Sequence, residues 1–258
     1  MASYLYIYKL NTEEHPDLFF SDEGSLNVDY LIETMDQNKA PINEEGYPQG
    51  EGFGIVEKIM IGNVKSVQCF CITRSSLGNF NEAKFSTDTF TTERKQHTYF
   101  TKSKIYLTEN NEFIIMFDNS IEERAKAKVK AQIEQLGFEM SILRITDLLI
   151  RHIQNNYSWS AATFNKIVKH GDSTRRVSFV IDPANDTDVS VVQQEYSDHG
   201  EMSHIKFDLP YTDNGNPKQI TVTLYSDKHR VIINENEFSD NDSFNEFMLH
   251  LLGILNES

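Results

Sequence analysis

The chain has 258 residues, with 39 acidic against 24 basic side chains, a formal charge of -15 and a pI near 4.9. That length suits one large domain or two ordinary ones, and 17 Phe and 11 Tyr exclude wholesale disorder. A molecule of this charge repels polyanions as a whole.

Met1 to Lys9 has no basic segment ahead of an apolar run and no small-residue cleavage pattern, and no stretch approaches the ~18 apolar residues of a membrane span. Cys69 and Cys71 are the only cysteines, and on one strand they sit too close together for an ordinary disulfide. A cytoplasmic location is therefore expected.

In chain order, the alternation of Tyr4, Tyr6 and Tyr8 against Leu5 and Ile7 predicts an opening strand. A turn at His15-Pro16-Asp17 and a short strand at Leu18-Phe19-Phe20 follow, then an amphipathic helix near residues 25 to 37 through Leu26, Tyr30, Leu31 and Met35. From Lys39 to Gly54, two Pro and four Gly among Glu44, Glu45 and Glu51 predict an exposed, mobile loop.

Period-two runs then predict an antiparallel meander with strands at Ile55–Ile61, Lys65–Thr73, Lys84–Thr91, Thr98–Leu107 and Glu112–Phe117. Behind the capping groups Asp118, Asn119 and Ser120, the spacing of Ile121, Ala125, Val129, Ile133 and Leu136 predicts a helix ending at Gly137. A strand at Phe138–Ile145 and a helix opened by Thr146-Asp147 come next, and the polar run Gln154 to Ser158 marks a boundary between domains 1–155 and 156–258. Trp159, just beyond it, reads as an anchor packing the second part on the first.

The C-terminal part reads as a helix around Ala161–His170, strands at Arg175–Ile181, Val189–Glu195, His204–Leu209, Gln219–Tyr225 and Arg230–Asn234, and a last helix from Ser243 to Leu255 with Ser243 and Glu246 at capping-box spacing. The class is α+β: antiparallel sheets with a few packed helices in two subdomains.

Charge is unevenly spread, since residues 61–180 hold 17 of the 24 basic side chains against 12 acids. The densest cations are Lys102, Lys104, Arg124, Lys126, Lys128, Lys130, Arg175 and Arg176, taken here as the DNA-binding set. On the predicted helix from Ile121, Lys126 and Lys130 flank one side of the apolar stripe and Arg124 and Lys128 the other. The same helix also offers Glu122-Lys126 and Lys130-Glu134 pairs at i,i+4 spacing, which suit a plain solvated face.

No motif names a reaction. His199 and His204 are five apart with Gly200 between, which fails the metalloprotease spacing, and with Asp198 they read as turn residues. Glu82-Ala83-Lys84 has the spacing of half a nuclease core without its partner Asp and reads as strand-edge charges. Gly50-Glu51-Gly52-Phe53-Gly54 has a loop before it and a strand after it, the reverse of a dinucleotide fingerprint. Cys69-Phe70-Cys71 has too few thiols for a Cys-rich zinc site. No cofactor, metal or catalytic residue is assigned.

Tyr4-Leu5-Tyr6-Ile7-Tyr8-Lys9, Leu18-Phe19-Phe20, Ser25-Leu26, the acidic loop, Gly52-Phe53-Gly54-Ile55-Val56 and the strand through Lys65–Arg74 resemble the beginning of the A component of phage-encoded Rex exclusion systems, over roughly the first 85 residues. The later order of strand, basic helix and strand-rich end is similar to that group and to the DNA-binding component of Kiwa-type defence systems. The resemblance implies a cytoplasmic, non-catalytic, sequence-indifferent binder of double-stranded DNA acting in phage defence, as a homodimer. The alternative is a protein-interaction module, an inhibitor or immunity protein whose acidic surface imitates DNA. On the first reading, the acidic loop between Lys39 and Gly54 shields the basic surface until a phosphate backbone displaces it.

Overall fold

The computed structural model describes residues 2–11, 16–21, 24–181 and 195–257 and shows an α+β fold dominated by antiparallel sheet. In chain order the elements are β1 (Ala2–Asn11), α1 (Pro16–Phe19), α2 (Val28–Gln37), β2 (Gly52–Ile61), β3 (Val64–Ser86), β4 (Thr89–Thr108), β5 (Glu112–Phe117) and α3 (Lys126–Glu134). They continue with β6 (Glu139–Ile142), α4 (Asp147–Asn156), β7 (Trp159–Asn165), β8 (Arg176–Val180), β9 (Glu201–Asp213), β10 (Asn216–Tyr225), β11 (Arg230–Asn234) and α5 (Asn241–Glu257). Two compact units interleave along the sequence: a terminal unit of Met1–Lys9, Met60–Val64 and Ser141–Ser258, and a ribbon unit of Leu10–Ile59 and Lys65–Met140.

In the terminal unit the strands run β1-β11-β10-β9-β7-β8, each antiparallel to its neighbour. Alternation puts Leu5, Val231, Ile233, Ile220, Val222, Leu224, Ile205, Phe207 and Leu209 on one buried face. Helices α4 and α5 bury Leu149, Ile150 and Ile153, and Phe244, Phe247, Met248, Leu251 and Leu252. The α4 cap is Thr146, whose side chain accepts from Leu149 N at 3.2 Å. At α5 the capping carboxylate is Asp240, accepting from Ser243 N at 2.8 Å, so Ser243 lies inside the first turn and is not the cap.

Two other expectations change here. Residues 159–165 form strand β7 and not a helix, because Ala162 and Phe164 face the core on a strand held between β8 and β9. Trp159 packs edge-on against Phe179 of β8 at 5.6 Å, and so serves the core of its own unit. The strand expected at Val189–Glu195 lies outside the described residues, except for Glu195 in a short helical turn.

The ribbon unit orders its strands β2-β3-β4-β5. All six residues of β5 are buried. Val28, Leu31 and Met35 of α2 and Val129 and Ile133 of α3 are buried in this unit, and Cys69 Sγ of β3 lies 3.7 Å from Met35 Sδ. Phe19, expected on a strand, belongs to the short helix α1 and packs on Phe138 at 4.4 Å and Tyr30 at 5.2 Å. A 3-10 turn at Glu122–Ala125 precedes α3, and Gly137 at φ 101° ends the segment.

The acidic loop is exposed, as expected, but it is not without regular bonding. Asn43 Oδ1 accepts from Glu45 N and Tyr47 N at 3.1 and 2.8 Å, Gln49 N donates to Pro41 O, and Ala40 N and Phe53 N bond across a parallel bridge at 2.9 Å each. The bridge requires Gly52: a Cβ there would stand 2.5 Å from both Ala40 N and Asn38 O.

One buried carboxylate ties the end of the terminal unit together. Asp213 accepts from Lys218 Nζ and from Ser239 Oγ and N at 2.6 and 3.0 Å, while Lys218 also donates to Glu237 O at 2.7 Å. Those bonds, Lys218 first and Ser239 next, hold its pKa well below the aspartate range. A depressed carboxyl contributes stability that is complete above the unfolded value of ~3.9 and is lost as pH falls below it. Thermal melts followed by circular dichroism from pH 7 to pH 2.5 should therefore show Asp213→Asn melting lower than wild type at pH 7, with the gap closing only below about pH 4.

Candidate nucleic-acid interface on one face of the long ribbon

Strands β3 and β4 pair from Ser66↔Thr108 to Ser86↔Thr89 and form a ribbon that runs beyond the packed part of its unit. Lys84–Thr91, expected as one strand, is the end of this hairpin, with its turn at Thr87 and Asp88. From Arg74 outward no residue of either strand is buried, up to Thr98 on the return, a reach of about 40 Å at strand rise.

Directly opposed residues share a face, and a bulge at Leu77, between Ser76 and Gly78, sets the outer rows. One face carries, from base to tip, Phe70 and Lys104, Ile72 and Lys102, Arg74 and Phe100, Ser76 and Thr98, Asn79 and Gln96, Asn81 and Arg94, Ala83 and Thr92, Phe85 and Phe90. Its four charged residues are all cations. The other face carries Glu82 and Glu93, cross-linked by Lys95 to Glu82 at 3.0 Å, Lys84 to Glu93 at 3.2 Å and His97 to Glu82 at 2.7 Å. Lys95 most of all holds the Glu82 carboxyl below its ordinary range. Both carboxylates of the ribbon strands thus lie away from the cationic face, and Asp88 stands in the turn.

Of the expected DNA-binding set, Lys102 and Lys104 belong to that cationic face. Lys102 lies over the Phe70 ring at 5.4 Å and pairs with Asp118 at 3.1 Å, and Lys104 lies over Tyr106 at 5.0 Å. Arg124, Lys126, Lys128 and Lys130 are elsewhere. Gln132 of α3 accepts from Cys71 Sγ at 2.9 Å and donates to Ile72 O at 2.9 Å, so α3 covers the base of the opposite face, where Cys69, Cys71 and Thr73 point. Lys128 donates to Arg74 O and lies 3.6 Å from Glu51, Lys130 lies 3.8 Å from Glu134, and Arg124 is exposed in the 3-10 turn. Arg175 and Arg176 are in the terminal unit, where Arg175 donates to Ile167 O at 3.2 Å. The expected set is thus brought together only as the pair Lys102 and Lys104, which the pairing register aligns with Arg74 and Arg94.

Sequence reasoning missed Arg74, Arg94 and the tip phenylalanines. The available signal was parity: Arg94, Lys102 and Lys104 share even positions on one strand, whereas Glu93 is odd. Of the acidic loop, Glu51 alone reaches the cations, accepting from Arg74 N at 2.7 Å, whereas Glu44 and Glu45 form no ion pair among the described residues.

Two other features of the terminal unit stand out, one from the sequence and one from its shape. His204 sits on β9 with its ring 4.6 Å from that of Tyr225, and burial, then Arg176, lowers its basicity. A hollow of about 850 Å³ in the terminal unit is lined by Tyr211, Pro217, Lys218, Leu249 and His250, but Lys218 is held by Asp213 and Tyr211 donates to Ser243 O at 3.0 Å. Among the described residues no three His, Cys, Asp or Glu side chains converge as a metal would require. No protein-family model matches the chain, and comparison with curated proteins finds no match.

Burial pushes the pKa of both thiols up, with Cys71 adding to the shift at Cys69 and Glu51 to that at Cys71. Ellman's reagent should therefore label neither cysteine in the native protein at pH 8 and both in guanidinium chloride. A rapid native reaction of either thiol would contradict the packing of α3 on β3.

Proposed function

We propose that this protein binds double-stranded DNA through its phosphates, without regard to sequence, along the cationic face of the β3–β4 ribbon, and that it does so in phage defence. The observation that carries this reading is the segregation of charge: Arg94, Arg74, Lys102 and Lys104 line one face, while Glu82 and Glu93 lie on the other and are neutralised there. A chain of net charge -15 approaches a polyanion best where cations are gathered apart from most carboxylates, and on this strip Asp118, paired with Lys102 at 3.1 Å, is the carboxylate a phosphate would displace. Phosphate contacts carry no base information, which suits sequence indifference. The resemblance to Rex and Kiwa components supplies the defence setting and a binding role in place of a reaction.

The acid-mimic reading is less favoured. Several carboxylates of the acidic C-terminal part hold their own unit together: Asp213 binds Lys218 and Ser239, Asp208 accepts from Thr221 Oγ1 at 2.7 Å, and Glu201 pairs with Lys166 at 2.7 Å.

Fluorescence anisotropy with two unrelated 30-base-pair duplexes across a salt series tests the proposal. Both should bind equally at low salt, with log K falling linearly in log salt concentration. Arg74→Glu with Arg94→Glu should weaken both by about tenfold or more, and Arg124→Glu with Lys128→Glu by less than about threefold. Absence of binding at micromolar protein and low salt would refute DNA binding, and a larger loss from the Arg124 and Lys128 pair than from the Arg74 and Arg94 pair would move the site to α3.

A further inference from the structure

The last row of the ribbon is a pair of phenylalanines. Phe85 and Phe90 stand directly opposite each other, 64% and 73% exposed, with ring centroids 5.3 Å apart at 64°. No core requires them, and a two-stranded hairpin with both faces in water is marginal by itself. The turn beyond them puts Thr87, a β-branched residue, at φ 55°, a conformation such residues rarely adopt. Strained backbone next to exposed aromatic rings, at the end of an arm free of packing, marks a working tip.

Its surroundings decide what the tip enters. Behind the phenylalanines come Ala83 and Thr92, then Asn81 with Arg94 and Asn79 with Gln96, a run of amides and a guanidinium with no carboxylate. An apolar groove of a protein, or a lipid surface, would strip those amides of water without replacing their hydrogen bonds. A nucleic-acid groove supplies acceptors on base edges and charge on flanking phosphates. Proteins that distort duplexes from the minor groove combine Arg, Asn and Gln with an apolar wedge between base steps. The minor groove distinguishes little beyond A·T from G·C, so such contacts keep binding nearly independent of sequence.

We infer that the Phe85–Phe90 pair is a wedge that enters a base step of the duplex and bends it, with Arg94 on the adjoining phosphates. This rests on the DNA-binding reading above and adds to it a mode of contact. Enforced unstacking favours sites that are already mismatched, nicked or flexible, so the class of partner is deformable or damaged duplex in preference to regular duplex.

The test uses the full chain and a 30-base-pair duplex carrying a fluorophore pair at its ends and 2-aminopurine at several internal steps. Wild type should raise energy transfer between the ends and raise 2-aminopurine fluorescence, and should bind a duplex with a central mismatch more tightly than the matched one. Phe85→Ala with Phe90→Ala, both at exposed positions, should keep the wild-type circular dichroism and still bind matched duplex, though more weakly, yet lose the bend, the unstacking signal and the mismatch preference. Phe85→Leu with Phe90→Leu, still apolar, should retain the bend. Bending that survives the alanine variant, or wild-type binding with neither signal, would overturn the wedge and leave DNA binding intact. Absence of any duplex binding by wild type would overturn both.

Discussion

Side chains alternate along a strand, so a ribbon offers only two faces, and its pairing register decides which residues share one. In the β3–β4 hairpin a single extra residue, Leu77, sits between the rows Ser76↔Thr98 and Gly78↔His97. Without that bulge, Glu82 and Lys84 would share a face with Arg74, and a carboxylate would stand in line with the cations. With it, Asn79, Asn81 and Phe85 take those places, and Glu82 turns to meet Lys95 and His97. Gly78, at φ 109°, makes the bulge possible because residues with a side chain rarely adopt that conformation.

This dependence explains why the elements were legible in the sequence and the site was not. Helices α2, α4 and α5 follow from apolar spacing and from caps such as Thr146, and the strands of the terminal unit from period-two runs. Those signals are local. The ribbon turn has no Gly, Pro or Asn, since Thr87 and Asp88 form it, and the run Lys84–Thr91 therefore reads as one uninterrupted strand. Once the turn is missed, parity on the two strands cannot be related. The helix read at Ala161–His170 fails for a similar reason: what makes residues 159–165 a strand is the pair of neighbours β8 and β9, the latter some forty residues away in sequence.

Counting charge by segment found the cationic region but not its geometry. The cations of α3 and the adjoining turn differ in their surroundings. Lys128 spans Arg74 O and Glu51, which fastens the helix and the end of the acidic loop to the same strand, and Lys130 stays with Glu134 on its own helix. Exposed pairs of this kind contribute little to stability, but they reduce the charge left over for a ligand. The acidic loop, read from composition as a mobile shield, is closed by its own backbone bonds, and its only carboxylate in reach of the basic residues is the one next to Gly52.

The interleaving of the two units also bears on how the chain is made. Strand β1 is antiparallel to β11, with Ala2 opposite Asn234 and Leu5 opposite Val231, so this strand leaves the ribosome more than 200 residues ahead of its partner. The ribbon unit, complete by Met140, has all its segments available more than 100 residues before the terminal unit does. Loop-closure entropy makes such a distant pairing slow, and an apolar strand left waiting is open to wrong partners. Vectorial synthesis thus favours a nested order, in which the inner unit folds first and the outer one closes after it.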